Sequence, residues 1–218
     1  MRIAPSILSA DFTKLASEIA RVDEAGAGQL HLDVMDGHYV PNLTFGPMVV
    51  SAVRECTSLP LDVHLMIEHA DRWVEAFMDA GADMIAVHPE TLYHPHLVLS
   101  SIRKRGKKAG LALNPGFSFS TIEALLPLAD YAIIMSVNPG WGGQKFIEGS
   151  FERVRELRRV ADAAGTELSI EIDGGMSAER IPMAAEAGVD VVIAGSAVFK
   201  AEDPASVLRD MLLAATEA

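Results

Sequence analysis

The chain alternates short apolar runs with longer segments in which apolar residues recur at helical spacing. Runs such as YAIIMSV at 131–137 and VDVVIAG at 189–195 are apolar almost throughout, which is typical of strands covered on both faces in a parallel sheet. Eight strands are predicted, at residues 2–8, 29–34, 61–66, 84–88, 108–113, 131–137, 168–173 and 191–194. Eight helical patterns follow them, at residues 13–25, 47–56, 71–80, 95–105, 121–126, 151–163, 178–187 and 204–214.

An alanine followed by a glycine ends several of the helical patterns. These glycines are Gly26, Gly81, Gly165 and Gly188, and a left-handed residue of this kind terminates a helix. The gaps between them, 55, 84 and 23 residues, fit two, three and one βα units of roughly 27 residues. Eight such units without a long linker predict an α/β fold, a single (β/α)8 TIM barrel over residues 1–218. An open doubly wound sheet is the alternative, which the lack of a G-x-G-x-x-G motif after the first strand disfavours.

Composition narrows the class of protein. The 218 residues carry 18 basic and 30 acidic side chains, a net charge of −12, which argues against a nucleic-acid partner. No apolar stretch approaches the roughly 18 residues of a membrane span, and the first residues lack the layout of a signal peptide. A lone cysteine, Cys56, excludes an internal disulfide. We therefore expect a cytoplasmic protein without membrane or nucleic-acid partners, and its Ala-, Leu- and Met-rich helices lead us to expect a homo-oligomer.

Two histidines and two aspartates converge at the predicted mouth of the barrel, where the active sites of such barrels lie. His31 and Asp33 share one face of the second strand, while His64 lies on the third strand and Asp173 ends the seventh. Each residue alone is better explained by a structural hydrogen bond. Four of them in one register favour a site for one divalent metal ion, because buried carboxylates must be paired or bound to a cation. Imidazole with carboxylate suits Zn²⁺, with Fe²⁺, Mn²⁺ or Co²⁺ as alternatives.

Three glycine-rich loops indicate a phosphate site. They read VNPGWGGQ at 137–144, DGG at 173–175 and AGSA at 194–197, after the sixth, seventh and eighth strands. Loops after the last two strands commonly hold phosphate in these barrels, through backbone N–H groups rather than lysine. Such loops let a protein of net charge −12 bind a phosphorylated ligand. The loop after the sixth strand is also expected to act as a lid that excludes water.

Three methionines, Met35, Met66 and Met135, occupy comparable positions at strand ends. We expect them to line the site, either as ordinary core residues or as a soft roof over a planar anionic intermediate.

Six segments, taken together, resemble the ribulose-phosphate 3-epimerase family. They are IAPSILSADF, HLDVMDGHYVPNLTFGP, LDVHLM, MSVNPGWGGQKF, EIDGG and AGSAVF, and they occur in order over nearly the whole chain. The resemblance implies an isomerase of carbohydrate metabolism that interconverts D-ribulose 5-phosphate and D-xylulose 5-phosphate in the pentose phosphate pathway or the Calvin cycle. It therefore implies a small phosphorylated ketose as the substrate.

The resemblance also assigns roles by motif. His31, Asp33, His64 and Asp173 match the family's metal ligands, and Asp33 and Asp173 match its acid/base pair. The implied substrate contacts are Ser6, His64, Gly142, Gly143, Gly174, Gly175, Gly195 and Ser196. We therefore predict a metal-dependent reaction through a metal-stabilised enediolate, with one aspartate on each face of the substrate.

Two loops leave the length of the sugar open. HPET at 88–91 resembles the allulose-6-phosphate 3-epimerases, and NPGFS at 114–118 is unusual after a fifth strand. The alternative is therefore a 3-epimerase of a hexulose 6-phosphate such as D-allulose 6-phosphate, although SVN at 136–138 favours the pentulose enzyme.

Two alternatives belong to other classes. A phosphosugar decarboxylase or Schiff-base aldolase needs an inward lysine, whereas Lys107 and Lys108 lie at the start of the fifth strand. A non-catalytic sugar-phosphate-binding module would differ from an epimerase by admitting no solvent deuterium at C3.

Overall fold

The computed structural model describes residues 1–217, in which eight parallel strands form one sheet. The strands are β1 (Arg2–Pro5), β2 (Leu30–Met35), β3 (Leu61–Met66), β4 (Met84–Val87), β5 (Lys108–Leu113), β6 (Tyr131–Met135), β7 (Ser169–Asp173) and β8 (Val191–Ala194). Their order is β1-β8-β7-β6-β5-β4-β3-β2, and a parallel bridge between Ser6 and His31 joins the two edges of the sheet. The sheet is therefore a nearly closed barrel, which confirms the predicted TIM barrel.

Helices alternate with the strands and cover the outside of the barrel. The α-helices are α1 (Leu15–Glu24), α2 (Pro47–Cys56), α3 (Val74–Asp79), α4 (Pro95–Lys104), α5 (Ser150–Ala163), α6 (Ile181–Ala187), α7 (Ser196–Phe199) and α8 (Pro204–Glu217). Short 3-10 helices lie at Ile7–Ser9, Phe12–Lys14, Ala70–Arg72, Pro89–Thr91, Phe119–Thr121, Glu123–Leu128 and Ala178–Arg180. Within residues 1–217, no helix combines the length and the apolar character needed to cross a membrane.

The alternation of side chains along the strands divides the apolar residues into two cores. Outward side chains such as Ile3 and Leu32 pack beneath the helices in the larger buried cluster. Inward side chains such as Ala4 and Ile133 fill the barrel in a separate cluster. This alternation has a consequence for the site, because it also turns the polar residues of β2, β3 and β7 inward.

Two predicted elements are wrong in part. The strand predicted at 2–8 ends at Pro5, because the Ser6 hydroxyl accepts a hydrogen bond from Leu8 N at 3.3 Å and caps the 3-10 helix Ile7–Ser9. The helix predicted at 121–126 is a 3-10 helix, Glu123–Leu128. Its Pro127 lacks an N–H group and disfavours the α conformation in the preceding residue, which accounts for the difference.

Other boundaries shift by a few residues. The strands predicted at 84–88 and 131–137 end earlier, at Val87 and Met135. The helices predicted at 13–25, 71–80 and 178–187 each begin with a 3-10 turn before α1, α3 and α6. Helix α7, which follows β8 directly, was not predicted.

Candidate active site and metal centre

A pocket opens at the carboxyl ends of the strands. Two of the predicted site residues, His31 and His64, are fully buried and lie next to Asp33, which is on the pocket wall. The other predicted residues all line the pocket: Ser6, Asp33, Met35, Met66, Met135, Gly142, Gly143, Asp173, Gly174, Gly175, Gly195 and Ser196. The structure thus brings the complete predicted set to one end of the barrel.

The two histidines and two aspartates form one cluster of potential ligand atoms. One such atom from each of His31, Asp33, His64 and Asp173 lies within 4.8 Å of the other three. The Oδ1 atom of Asp33 is 3.4 Å from His31 Nε2 and 3.5 Å from His64 Nδ1. Both nitrogens are buried, and neither has a hydrogen-bond partner among residues 1–217. Unpartnered buried imidazoles beside carboxylates fit a divalent first-row metal ion.

The second oxygen of Asp33 is held separately. The Ser6 hydroxyl donates a hydrogen bond of 2.5 Å to Asp33 Oδ2. The register of β2 against β3 pairs Asp33 with His64, so the parallel sheet itself places these two side chains next to each other. Asp33 is therefore held by a hydrogen bond at Oδ2, while its Oδ1 atom faces the unpartnered nitrogens of His31 and His64.

The two aspartates have opposite electrostatic environments. Burial opposes ionisation of Asp33, but the neighbouring His31 and His64 outweigh burial and hold the pKa of Asp33 well below its usual range. Burial and the negative charge of Asp33 raise the pKa of Asp173 to about 6. Burial also opposes the imidazolium form of His31, yet the Asp33 and Asp62 carboxylates raise the pKa of His31 well above its usual value.

Beneath this cluster lies a layer of buried polar side chains, which we call the barrel floor: Gln29, Asp62, Tyr131 and Glu171. Asp62 Oδ2 is 2.7 Å from His31 Nδ1, and Tyr131 donates to Asp62 Oδ1 at 2.6 Å. The Gln29 amide donates to Glu171 Oε1 at 3.2 Å. Potential ligand atoms of His31, Asp62 and Glu171 also lie within 4.8 Å of one another, but hydrogen bonds inside the protein already engage all three side chains.

Sequence reasoning missed the barrel floor, although a signal was present. Asp62 and Glu171 precede His64 and Asp173 by two residues on the same strands, so their side chains point to the same inner face.

A third histidine, His88, lies in the HPET loop, which the sequence connected only with the length of the sugar, and it contacts His64. Its Nε2 atom is 2.9 Å from His64 Nε2, and its Nδ1 atom is 3.6 Å from Glu90 Oε1. The Tyr39 hydroxyl and the Asn114 amide donate to the same Glu90 oxygen at 2.8 and 2.7 Å. Burial lowers the pKa of His88 to about 4, so the ring is neutral at pH 7.

The opposite side of the pocket is built from glycines. Gly175 has φ +63°, and a Cβ atom there would lie 2.8 Å from the backbone nitrogen of Phe146. At Gly195, a Cβ atom would lie 3.1 Å from the Ser9 hydroxyl. Because glycine has no side chain, these positions keep the pocket open. They also bring backbone groups to the pocket surface, as anion-binding loops require.

The three methionines do not form one group. Met35 and Met66 pair across β2 and β3 and pack with Val40 in a small cluster above the ligand atoms. Met135 belongs to the apolar cluster inside the barrel. All three line the pocket, Met35 and Met66 at the ends of β2 and β3 and Met135 beside Asp173, its partner on β7.

Solved structures share the fold at low sequence identity. A crystal structure of KGPDC from Streptococcus mutans superposes with a TM-score of 0.76 at 15% identity, covering 99% of this chain and 97% of that one. Fold and site together define the class, a TIM-barrel enzyme with its pocket at the carboxyl ends of the strands.

The family follows from sequence similarity. The model of the ribulose-phosphate 3 epimerase family matches residues 2–199. The chain is 49% identical over 204 residues to a ribulose-phosphate 3-epimerase of Bacillus subtilis (strain 168), covering 93% of this chain and 94% of the relative. It is 50% identical over 208 residues to one from Synechocystis, covering 94% and 90%. The chain therefore belongs to the ribulose-phosphate 3-epimerase family and is an isomerase.

Proposed function

We propose that this protein interconverts D-ribulose 5-phosphate and D-xylulose 5-phosphate. One observation carries the proposal: in a chain of the ribulose-phosphate 3-epimerase family, Asp33 and Asp173 line the same pocket, with carboxylate oxygens no more than 4.8 Å apart. A pair of carboxyl groups at this separation can reach both faces of one carbon atom.

The reaction inverts a carbon beside a ketone, so a proton must leave C3 and another must reach it from the opposite face. A carboxylate alone is too weak a base to deprotonate a hydroxyketone quickly. We propose His31, Asp33, His64 and Asp173 as ligands of one divalent cation, with Zn²⁺ as first choice and Fe²⁺, Mn²⁺ or Co²⁺ as alternatives. When bound, such a cation supplies the Lewis acidity that polarises the ketone.

Asp33 and Asp173 carry the proton in this proposal. One carboxylate takes the C3 proton, the electron pair of the broken C–H bond enters the enediolate, and the other carboxyl group donates its proton to C3 from the opposite face. The two residues exchange roles in the reverse direction.

The remaining predicted residues are proposed to bind and enclose the substrate. Its phosphate is expected on the glycine side, at the backbone N–H groups of Gly142, Gly143, Gly174, Gly175, Gly195 and Ser196. Ser6 and His64 are proposed as contacts of the sugar, and Ser6 also keeps Asp33 in place through its hydrogen bond. Met35, Met66 and Met135 would keep water from the enediolate.

A 3-epimerase acting on a hexulose 6-phosphate is the second candidate. The observation in its favour is the network of Tyr39, Glu90 and Asn114, in which Asn114 donates to Tyr39 Oη at 2.6 Å. Glu90 and Asn114 belong to the two unusual loops, and Glu90 lies beside His88, the neighbour of His64, so these loops are proposed to influence the choice of sugar through His88.

One experiment tests both candidates. Protein with a measured Zn²⁺ content is incubated in deuterated water with D-ribulose 5-phosphate or D-allulose 6-phosphate, and deuterium at C3 and the epimeric product are followed by NMR. We expect faster exchange and turnover with the pentulose. Faster reaction of the hexulose would establish the second candidate, whereas binding of both sugars without exchange at C3 would identify a non-catalytic binding module.

We also propose that the whole chain is one catalytic domain of a cytoplasmic homo-oligomer. Exposed apolar side chains such as Met48, Trp73, Tyr93 and Leu97 support self-association. Light scattering after size exclusion measures the assembly, and a monomer at micromolar concentration would contradict it.

A further inference from the structure

We infer that Asp62 and Tyr131 are positioning residues, which hold His31 in one orientation and one tautomer with its Nε2 atom directed at the cluster of Asp33, His64 and Asp173. The inference rests on the proposed function, because the metal centre proposed there is what His31 would serve.

The hydrogen bonds of Asp62 determine which nitrogen of His31 carries the proton. Asp62 Oδ2 lies 2.7 Å from His31 Nδ1, while Tyr131 donates to the other oxygen at 2.6 Å. A carboxylate only accepts hydrogen bonds, so His31 Nδ1 is the donor. In the neutral ring the Nε2 atom is then free of a proton and can bind a cation. An imidazole is oriented in this way in many metal sites.

Burial isolates the hydrogen bonds of Asp62 from solvent. Asp62 and His31 are fully buried, and Tyr131 is 1% exposed, so neither hydrogen bond is exposed to bulk water. Among residues 1–217, Tyr131 is the donor for Asp62 Oδ1 and His31 the partner of Oδ2. If Tyr131 lost its hydroxyl, the Asp62 carboxylate would be free to rotate and to release His31 Nδ1.

The sequence makes room for this hydroxyl at one position. Gly110 on β5 pairs with Tyr131 on β6, and a Cβ atom at Gly110 would lie 2.3 Å from the tyrosine ring. Glycine therefore lets the ring lie across the inside of the barrel, from β6 to Asp62 on β3. A buried tyrosine hydroxyl requires a partner, and here that partner is the residue behind His31.

Glu171 provides the contrast within the same layer. It is as deeply buried as Asp62, but its carboxyl group accepts from Gln29 instead of contacting His31 by a hydrogen bond. If the barrel floor only stabilised the fold, replacing Asp62 and replacing Glu171 should have similar effects on Zn²⁺ binding. A positioning role distinguishes the two acids, because of these two only Asp62 shares a hydrogen bond with His31.

The test compares Asp62→Asn, Tyr131→Phe and the matched control Glu171→Gln. Each metal-free protein is titrated with Zn²⁺ in competition with a chromogenic chelator, after circular dichroism has shown that it is folded. We expect Asp62→Asn to weaken Zn²⁺ binding about 10- to 100-fold. Loss of the one hydroxyl in Tyr131→Phe should weaken it about three- to tenfold, and Glu171→Gln should stay within about twofold of the wild type.

A second measurement reads the tautomer directly. Nitrogen-15 NMR of the Zn²⁺-loaded wild type should find the His31 proton on Nδ1, and Tyr131→Phe should broaden or shift this signal. A proton on Nε2 in the wild type would overturn the inference.

The binding results separate the possible failures. Wild-type affinity in Tyr131→Phe and Asp62→Asn would overturn this inference and leave the metal centre intact, as would an equal loss in Glu171→Gln. If Asp62→Asn does not fold, Tyr131→Phe alone decides between the outcomes. A wild type that binds no Zn²⁺, Fe²⁺, Mn²⁺ or Co²⁺ would refute the metal centre of the proposed function, and this inference with it.

Discussion

The two sides of the barrel mouth are built on different principles. On the side of β2 and β3, Asp33 is contacted by Ser6, His31 and His64, so its position and its charge are set by neighbouring side chains. On the side of β7 and β8, Asp173 is followed by two glycines, and its pKa is shifted by burial and by the charge of Asp33. One side is rich in side-chain contacts, whereas the other presents mainly backbone.

This difference separates two tasks that a phosphorylated ketose imposes. A cation needs ligand atoms held at fixed positions, which the contacts around Asp33 provide. An anionic phosphate needs backbone N–H groups with space in front of them, which glycines provide. A net negative protein can therefore bind an anion, because the glycine side offers no carboxylate besides Asp173 among the pocket residues there.

The largest expected effect is on the two aspartates. Although their surroundings differ, Asp33→Asn and Asp173→Asn should each lower kcat about 10²- to 10⁴-fold, because an amide neither takes nor gives the C3 proton. Steady-state kinetics measure the loss, and Asp190→Asn is the matched control, since Asp190 precedes β8 at the other end of the barrel. Near-normal turnover in either aspartate variant would show that the two sides are not a proton-transferring pair.

An intermediate effect is expected on the glycine side. In Gly175→Ala the added Cβ atom meets the Phe146 backbone at 2.8 Å, so the loop must move and its contacts with phosphate weaken. We expect KM for the phosphorylated ketose to rise about tenfold with a smaller change in kcat.

Gly149→Ala controls for backbone strain in that experiment. Gly149 also has a left-handed backbone, φ +90°, but nothing lies within 4 Å of its added Cβ atom and it is outside the pocket. It should lose stability without a change in KM. A similar KM in both variants would mean that the glycine side does not hold the phosphate.

The smallest expected effect concerns the barrel floor below both sides. Burial and the neighbouring Asp62 raise the pKa of Glu171 well above its usual value of 4.5. The folded state therefore retains this proton after the unfolded state has lost it, and stability falls as the pH rises from 4.5 through the raised pKa. Glu171→Gln keeps the neutral shape at every pH, so it should match the wild type at low pH and exceed its stability at pH 9 by about 1 kcal/mol.

Urea unfolding of the metal-free proteins at several pH values measures this difference. The raised pKa of Glu171 is refuted if the stability of Glu171→Gln relative to the wild type falls as the pH rises, because Glu171 would then be stabilised in its ionised form.

Alternation along strands accounts for what the sequence could predict about the site. It places His31, Asp33 and His64 on the inner face, and the chain order of a barrel places Asp173 at the same end. What it does not show is which distant side chains meet across the barrel. Tyr131 and Asp62 are 69 residues apart, and their contact depends on the space left by Gly110.

The type of a helix also depends on single residues that the apolar pattern does not take into account. The apolar spacing at 121–126 is that of a helix, but Pro127 changes the hydrogen-bonding pattern to 3-10. The sequence placed His88 next to the site but not its contact with His64, because β4 ends at Val87 and the contact depends on the turn that follows.

The pairing of β1 with β8 has a consequence for synthesis of the protein. Strand β1 pairs with residues 191–194, so about nine-tenths of the chain must leave the ribosome before the barrel can close. Ser6, which lies at this seam and holds Asp33, acquires its surroundings only then. A chain truncated before β8 is therefore expected to lack this site, because Ser6 would have no partner at Ala194.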